Sequence, residues 1–232
     1  MLFIDPLYLI MVVAPGLLLS LAASFYTKST FSKYGRVPSQ RGWTGAQAAQ
    51  RLLESNGVHG VTIEQVQGRL SDHYDPRTRT LRLSPQVYGS NSLSAVGVAC
   101  HEAGHALQHA QDYAFLGLRT ALVPAATFGS NLSYWLVFLG FILGMNKSLI
   151  LLGAGLFSLA VLFSLITLPV EWNASARAKQ AMAHGGLLTA QESKGAGRVL
   201  NAAFLTYVAS AVSSLLVLAY YLMRAGVLGG DD

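Results

Sequence analysis

Charge is scarce in this chain. Only 12% of its 232 residues are Asp, Glu, Lys or Arg, against roughly 25% in a soluble domain. Too little polar chain is present to wrap a sequence that is 52% hydrophobic, so the scarcity points to a bilayer. Cysteine is nearly absent. The single Cys100 excludes an internal disulfide framework and a Cys-rich zinc centre; beside His101 but on another helix face, it reads as a small core residue. A nucleotide-binding loop, an internal repeat and a low-complexity tract are also missing. So is a basic stretch ahead of the first apolar run, where only Asp5 stands. That run is therefore expected to be a retained anchor, not a cleaved signal peptide.

What the chain has in quantity is uncharged apolar sequence. Leu7 to Tyr26, Leu122 to Asn146, Ser148 to Val170 and Asn201 to Met223 are each free of charge. Each is long enough to cross about 30 Å of hydrocarbon as a helix. The net charge of +5 sits in the segments flanking these runs, so no nucleic-acid partner is expected and the lipid bilayer is. Residues 27–120 hold Lys28, Lys33, Arg36, Arg41, Arg51, Arg69, Arg77, Arg79, Arg82 and Arg119; residues 171–200 hold Arg177, Lys179, Lys194 and Arg198; the turn between the second and third runs holds only Lys147. The positive-inside rule puts both basic regions in the cytoplasm and both termini outside. The expected division is a first span (1–26), a cytoplasmic region (27–120), two spans (121–170), a second cytoplasmic segment (171–200), and a last span with its tail (201–232).

Thr27 to Gly42 reads as a basic juxtamembrane segment. Thr44 with Gln47 forms a capping box ahead of a helix that Asn56-Gly57 stops. Val61 to Val66 alternates as a strand. Leu70 to Pro85 reads as a β-hairpin turning at Asp75-Pro76. Its return strand, Thr80, Leu81, Arg82 and Leu83, is expected to present an edge that could hold an extended peptide. Gly229 to Asp232 is expected to be a disordered tail.

The chemistry concentrates in Val98-Ala99-Cys100-His101-Glu102-Ala103-Gly104-His105-Ala106-Leu107, which contains H-E-x-x-H. It lies in an unbroken helical stretch from Ser92 to Asp112, with Ser92 or Ser94 as the cap. Four residues turn a helix about 40° past one full turn, so His101 and His105 share a face about 6 Å apart along the axis. Two neutral imidazoles so placed can hold one Zn²⁺. Glu102 is within reach of a water there without having to be a ligand, as a general base must be. A catalytic zinc needs a third protein ligand. The candidate is Glu171, the first charge after the third apolar run, since an acid beside hydrocarbon is costly unless paired or bound to metal. His109 is about 12 Å along the helix from His101, too far to share the ion. His59 and His73 read as surface histidines. His184 is a candidate donor to a developing oxyanion. The competing readings are a non-catalytic membrane scaffold with a structural zinc site and a metal or solute carrier; the spans hold too little charge to form a carrier's pathway.

In combination, several segments resemble the YugP-type membrane zinc metallopeptidases of bacteria: Ser29-Thr30-Phe31-Ser32-Lys33-Tyr34, Gly42-Trp43-Thr44-Gly45-Ala46, Leu70-Ser71-Asp72-His73-Tyr74-Asp75-Pro76, the H-E-x-x-H helix through His109, Glu171-Trp172-Asn173-Ala174-Ser175, and Val199-Leu200-Asn201-Ala202-Ala203. The resemblance implies a neutral zinc endopeptidase of the bacterial inner membrane. It implies one zinc ion on His101, His105 and Glu171, a gluzincin-like set, with Glu102 as base and a peptide or membrane-protein substrate. More loosely the chain is similar to HtpX-type and prenyl-protein (CAAX) proteases, in which an Asp commonly follows the third ligand by four. Here that position is Ser175, so Asn173, Ser175 and Arg177 become the candidates for supporting the ligands. The fold expected is a mainly α membrane protein: four transmembrane helices with a small α+β zincin-like domain, sheet plus metal helix, at the membrane surface.

Overall fold

The computed structural model describes residues 5–68 and 70–228, so the tail expected at Gly229 to Asp232 lies outside the described residues, as does Arg69. The protein is mainly helical, with a three-stranded sheet. Four helices are long and apolar enough to cross a membrane: α1 (Pro6–Tyr34), α5 (Ala114–Ile142), α6 (Lys147–His184) and α7 (Ala190–Arg224). Between α1 and α5 come α2 (Gly45–Ser55), β1 (Thr62–Gln65), β2 (His73–Asp75), β3 (Thr80–Leu83), α3 (Pro85–Tyr88) and α4 (Leu93–Ala110).

The chain forms two compact units. One comprises the described residues of Met1–Ala23, Leu118–Leu168 and Thr206–Asp232; the other comprises those of Ser24–Gly117 and Pro169–Leu205. The first is the apolar unit. Its core is Val12, Val137, Ala154, Tyr220 and Tyr221, with Tyr220 ringed by Tyr8 and Phe141. Asp5 accepts hydrogen bonds from Tyr220 Oη (2.5 Å) and from the Arg224 guanidinium, tying the start of α1 to the end of α7.

The second unit carries most of the charge and is organised around α4. Ser92 caps that helix, its Oγ accepting from the Ala95 amide at 3.2 Å. Ser94 is turned elsewhere, donating to the Phe31 carbonyl at 2.7 Å. Most of α4 is buried, its small and apolar side chains packing on several sides while His101, Glu102, His105 and Gln108 are among the polar exceptions. It packs with α2 (Leu52, Leu53), β3 (Leu81, Leu83), α6 (Ala178, Met182) and α7 (Ala196, Leu200) in one core. The Thr44–Gln47 capping box forms as the sequence predicts.

Three sequence expectations are corrected. The first span, expected to end at Tyr26, runs into the juxtamembrane segment expected from Thr27 to Gly42, because α1 continues to Tyr34; nothing before Gly35 breaks it, and its last turns put Phe31 and Tyr34 against the core. The last helix starts before the expected boundary at Asn201: the polar stretch Gln191 to Arg198, inside the segment expected at 171–200, is the opening of α7. Thr189 Oγ accepts from the Glu192 amide (3.3 Å), and Glu192 Oε2 accepts from the Thr189 amide (2.8 Å), a capping box that starts the helix early. The third correction concerns the sheet, whose order is β1-β3-β2. The hairpin is present, β2 pairing antiparallel with β3, but β1 pairs with the far side of β3 in parallel. Thr80–Leu83 is therefore the central strand and has no free edge. The physical reason is its burial: Leu81 and Leu83 are fully enclosed, and the most apolar strand takes the middle. Arg82 points the other way and bridges Glu64 (2.6 Å) and Asp75 (3.3 Å) across both neighbours.

Gly104 sets the spacing between α4 and α6. A Cβ there would lie 2.5 Å from the Ala174 carbonyl oxygen, and backbone cannot yield as a side chain can. Gly104→Ala should cost about 1–3 kcal/mol and lower the melting temperature in detergent. Gly155→Ala, where a Cβ meets nothing within 4 Å, should not. Equal melting temperatures for Gly104→Ala and wild type would mean that the two helices can separate freely.

Candidate metal centre

His101 and His105 lie on the face of α4 turned to α6, their rings edge-to-face at 4.8 Å between centroids. Glu171, on α6, meets them: its Oε2 is 3.1 Å from His101 Nε2 and 3.6 Å from His105 Nε2. One donor atom from each of the three residues falls within 4.8 Å of the others. Glu171 is only 2% exposed. A carboxylate so enclosed needs a cation or strong donors around it. The donor set of two imidazole nitrogens and one carboxylate oxygen fits zinc and leaves room for a further ligand.

Both imidazoles are held from behind. Gln108 is fully buried. Its Nε2 donates to the Val170 carbonyl (2.8 Å) and to Asn173 Oδ1 (3.0 Å), which leaves its Oε1 to face His105 Nδ1 at 2.9 Å. An amide oxygen only accepts, so the proton sits on Nδ1 and the Nε2 lone pair points at Glu171's side of the site. His101 Nδ1 is 3.1 Å from Ser175 Oγ, so Ser175 makes a contact at the position where the loosely similar proteases commonly carry Asp. Arg177 donates through Nε to Asn173 Oδ1 (2.7 Å) and also to Gln111, bracing Asn173 for Gln108.

The electrostatics follow from this packing. Burial pulls the His105 pKa down, but the adjoining Glu171 carboxylate outweighs it, with Glu102 adding to the effect, and the net shift is upward. Cys100 is fully buried, burial alone pushes its thiol up to about 12, and its sulfur is not part of the donor cluster. Glu102 is buried too, yet its carboxylate is not part of the donor cluster.

Of the residues singled out from the sequence, His101, His105, Glu171, Asn173, Ser175 and Arg177 come together. His184 does not. It ends α6, exposed, thirteen residues beyond Glu171 and so about 20 Å along the helix. His109 turns to the sheet, its Nδ1 2.9 Å from Tyr74 Oη. His73 is exposed, with its Nδ1 2.7 Å from the Ser71 carbonyl, and His59 is exposed. Gln108 was not singled out, although it stands three residues after His105, where helix neighbours meet. Gln108→Met should leave the helical content unchanged and weaken zinc binding roughly 10–100-fold. Competition with a chromophoric chelator would read this, and an unaltered affinity would strip Gln108 of its orienting role.

A family model described as "Putative neutral zinc metallopeptidase" matches residues 8–226. The chain is also similar to the "Putative membrane protease YugP" of Bacillus subtilis (strain 168), with 49% identity over 205 residues, covering 88% of this chain and 91% of that one. No solved structure matches.

Proposed function

The chain belongs to the neutral zinc metallopeptidase family, and from that premise we propose that it is a membrane-embedded zinc-dependent endopeptidase acting on membrane-associated or unfolded proteins. His101, His105 and Glu171 hold one zinc ion, and Glu102 is the general base. The observation that carries this reading is the donor cluster itself: two Nε2 atoms and a buried carboxylate, with a second carboxylate on the same helix kept out of the set.

Zinc, when bound, supplies Lewis acidity, which acidifies water and polarises a carbonyl. The protein's own groups do the rest. Gln108 and Ser175 keep both imidazoles turned so that Nε2 faces the site. Glu102 takes the proton from the attacking water and passes it to the departing amine. The small neighbours Ala103, Gly104 and Ala106 keep the helix face low and uncharged. Substrate alignment falls to β2, the outer strand beside α4, where main-chain groups can pair with an extended peptide.

The charge distribution supports an active site on the cytoplasmic side of the inner membrane, with both termini outside. The regions flanking the metal residues hold most of the Lys and Arg, and the turn from α5 into α6 offers only Lys147, the first residue of α6. The test is chelation. The purified chain should contain one zinc per polypeptide and cleave casein. It should lose that activity to 1,10-phenanthroline and recover it with added zinc. Cleavage that survives complete zinc removal would end the metallopeptidase reading.

A further inference from the structure

A cavity of about 470 Å³ opens between the last turns of α6 and the first turns of α7. Its polar lining is Lys179, Ser193, Lys194, Arg198 and Asn201, and no carboxylate is among its lining residues. Lys194 and Arg198 stand four apart on α7, where like charges repel. Arg198 donates to the neutral Tyr34 hydroxyl (3.0 Å). Lys179 crosses from α6, its Nζ 2.9 Å from Asn201 Oδ1. Its path runs over Gly197, where a Cβ would lie 3.3 Å from Lys179 Cδ; the missing side chain makes room for the lysine stem. Glu192, one turn away on α7, is committed to the Thr189 and Gln40 amides.

The surroundings indicate where an anion would come from. Lys179 Nζ also lies 5.3 Å from the Trp172 ring centroid. Trp172 is 55% exposed and meets Phe204 edge-to-face. An exposed, amphipathic Trp on an apolar helix marks the membrane interface, and Lys179 stands about 10 Å further along α6. Beyond Asn201, α7 carries no charge until Arg224.

We propose that this cavity binds the phosphodiester group of an anionic phospholipid. Lys179, Lys194 and Arg198 neutralise the phosphate, and Ser193 and Asn201 offer hydrogen bonds to headgroup hydroxyls. A phospholipid suits the site better than soluble phosphate because the cavity lies at the polar ends of two apolar helices, next to an interfacial tryptophan. The proposal rests on the membrane reading and not on the zinc chemistry.

The test is native mass spectrometry of the full-length chain, released from micelles containing equal amounts of dioleoylphosphatidylglycerol and dioleoylphosphatidylcholine. Wild type should retain the phosphatidylglycerol preferentially, and millimolar inorganic phosphate should not displace it. The double variant Lys194→Gln, Arg198→Gln should lose roughly tenfold or more of this retention. The pair Arg77→Gln, Arg79→Gln, with the same charge change in the β2–β3 turn, should lose none. Lys179→Arg should retain the lipid where Lys179→Gln does not. Equal losses in both double variants, equal retention of the two lipids, or displacement by phosphate would each overturn the proposal. Zinc content and melting temperature, measured on every variant, separate this outcome from misfolding and from a failure of the metal site.

Discussion

Glu102→Gln should reduce casein hydrolysis roughly 10²–10⁴-fold, the contribution of a positioned general base, equivalent to about 3–5 kcal/mol of transition-state stabilisation. Zinc content should not change, because Glu102 is outside the donor cluster. The substitution keeps the side chain's size and removes only its ability to take a proton, so the fold around buried Glu102 is preserved. Activity and zinc together decide the matter. A variant that keeps both its zinc and full activity would remove Glu102 as the base; a wild type that binds zinc and hydrolyses nothing would leave the ion as a structural clip, and the scaffold reading would replace the enzyme.

Glu171→Ala should produce the opposite pairing, with zinc lost along with activity. Two imidazoles four residues apart remain, one ligand short of a catalytic zinc site. Removing a ligand should cost at least the roughly 10–100-fold in affinity that follows removal of a supporting group. Glu171→Gln keeps the volume and tests charge alone; it too should bind zinc weakly. Full zinc occupancy in either variant would move the third ligand elsewhere. In the metal-free chain the same carboxylate is what holds the His105 pKa up against burial, so the alanine variant should also lower that pKa, readable by NMR titration of its imidazole.

The parts of this site that could be read from the sequence were those with a local period. H-E-x-x-H fixes a helix face wherever the helix lies. Glu171 stood out because a charge ending a long apolar run is expensive. The Thr44 box, the hairpin and the Ser92 cap are likewise short-range patterns. What escaped depends on contacts between distant segments. Gln108 is an unremarkable glutamine until Asn173 and the Val170 carbonyl, more than sixty residues on, take both its N–H groups. The central place of β3 follows from β1 pairing across it in parallel, which no turn signal announces. His184 looked plausible because the twelve residues between it and Glu171 say nothing about distance until they are known to belong to one helix. The early start of α7 was hidden by its polar first turns, which read equally as a loop or a short helix until the Thr189–Glu192 cap joins them to the span.

The order in which the donors are synthesised has its own consequence. His101 and His105 leave the ribosome together, but Glu171 follows only after all of α5 and the apolar stretch of α6. A nascent or truncated chain that has not yet made those two helices holds an incomplete ligand set. A fragment ending before Glu171 keeps both imidazoles and lacks the carboxylate, so it should bind zinc weakly. The protein's connectivity makes the three-donor cluster a late product of synthesis, complete only once the first two long apolar helices and the apolar stretch of the third have been made.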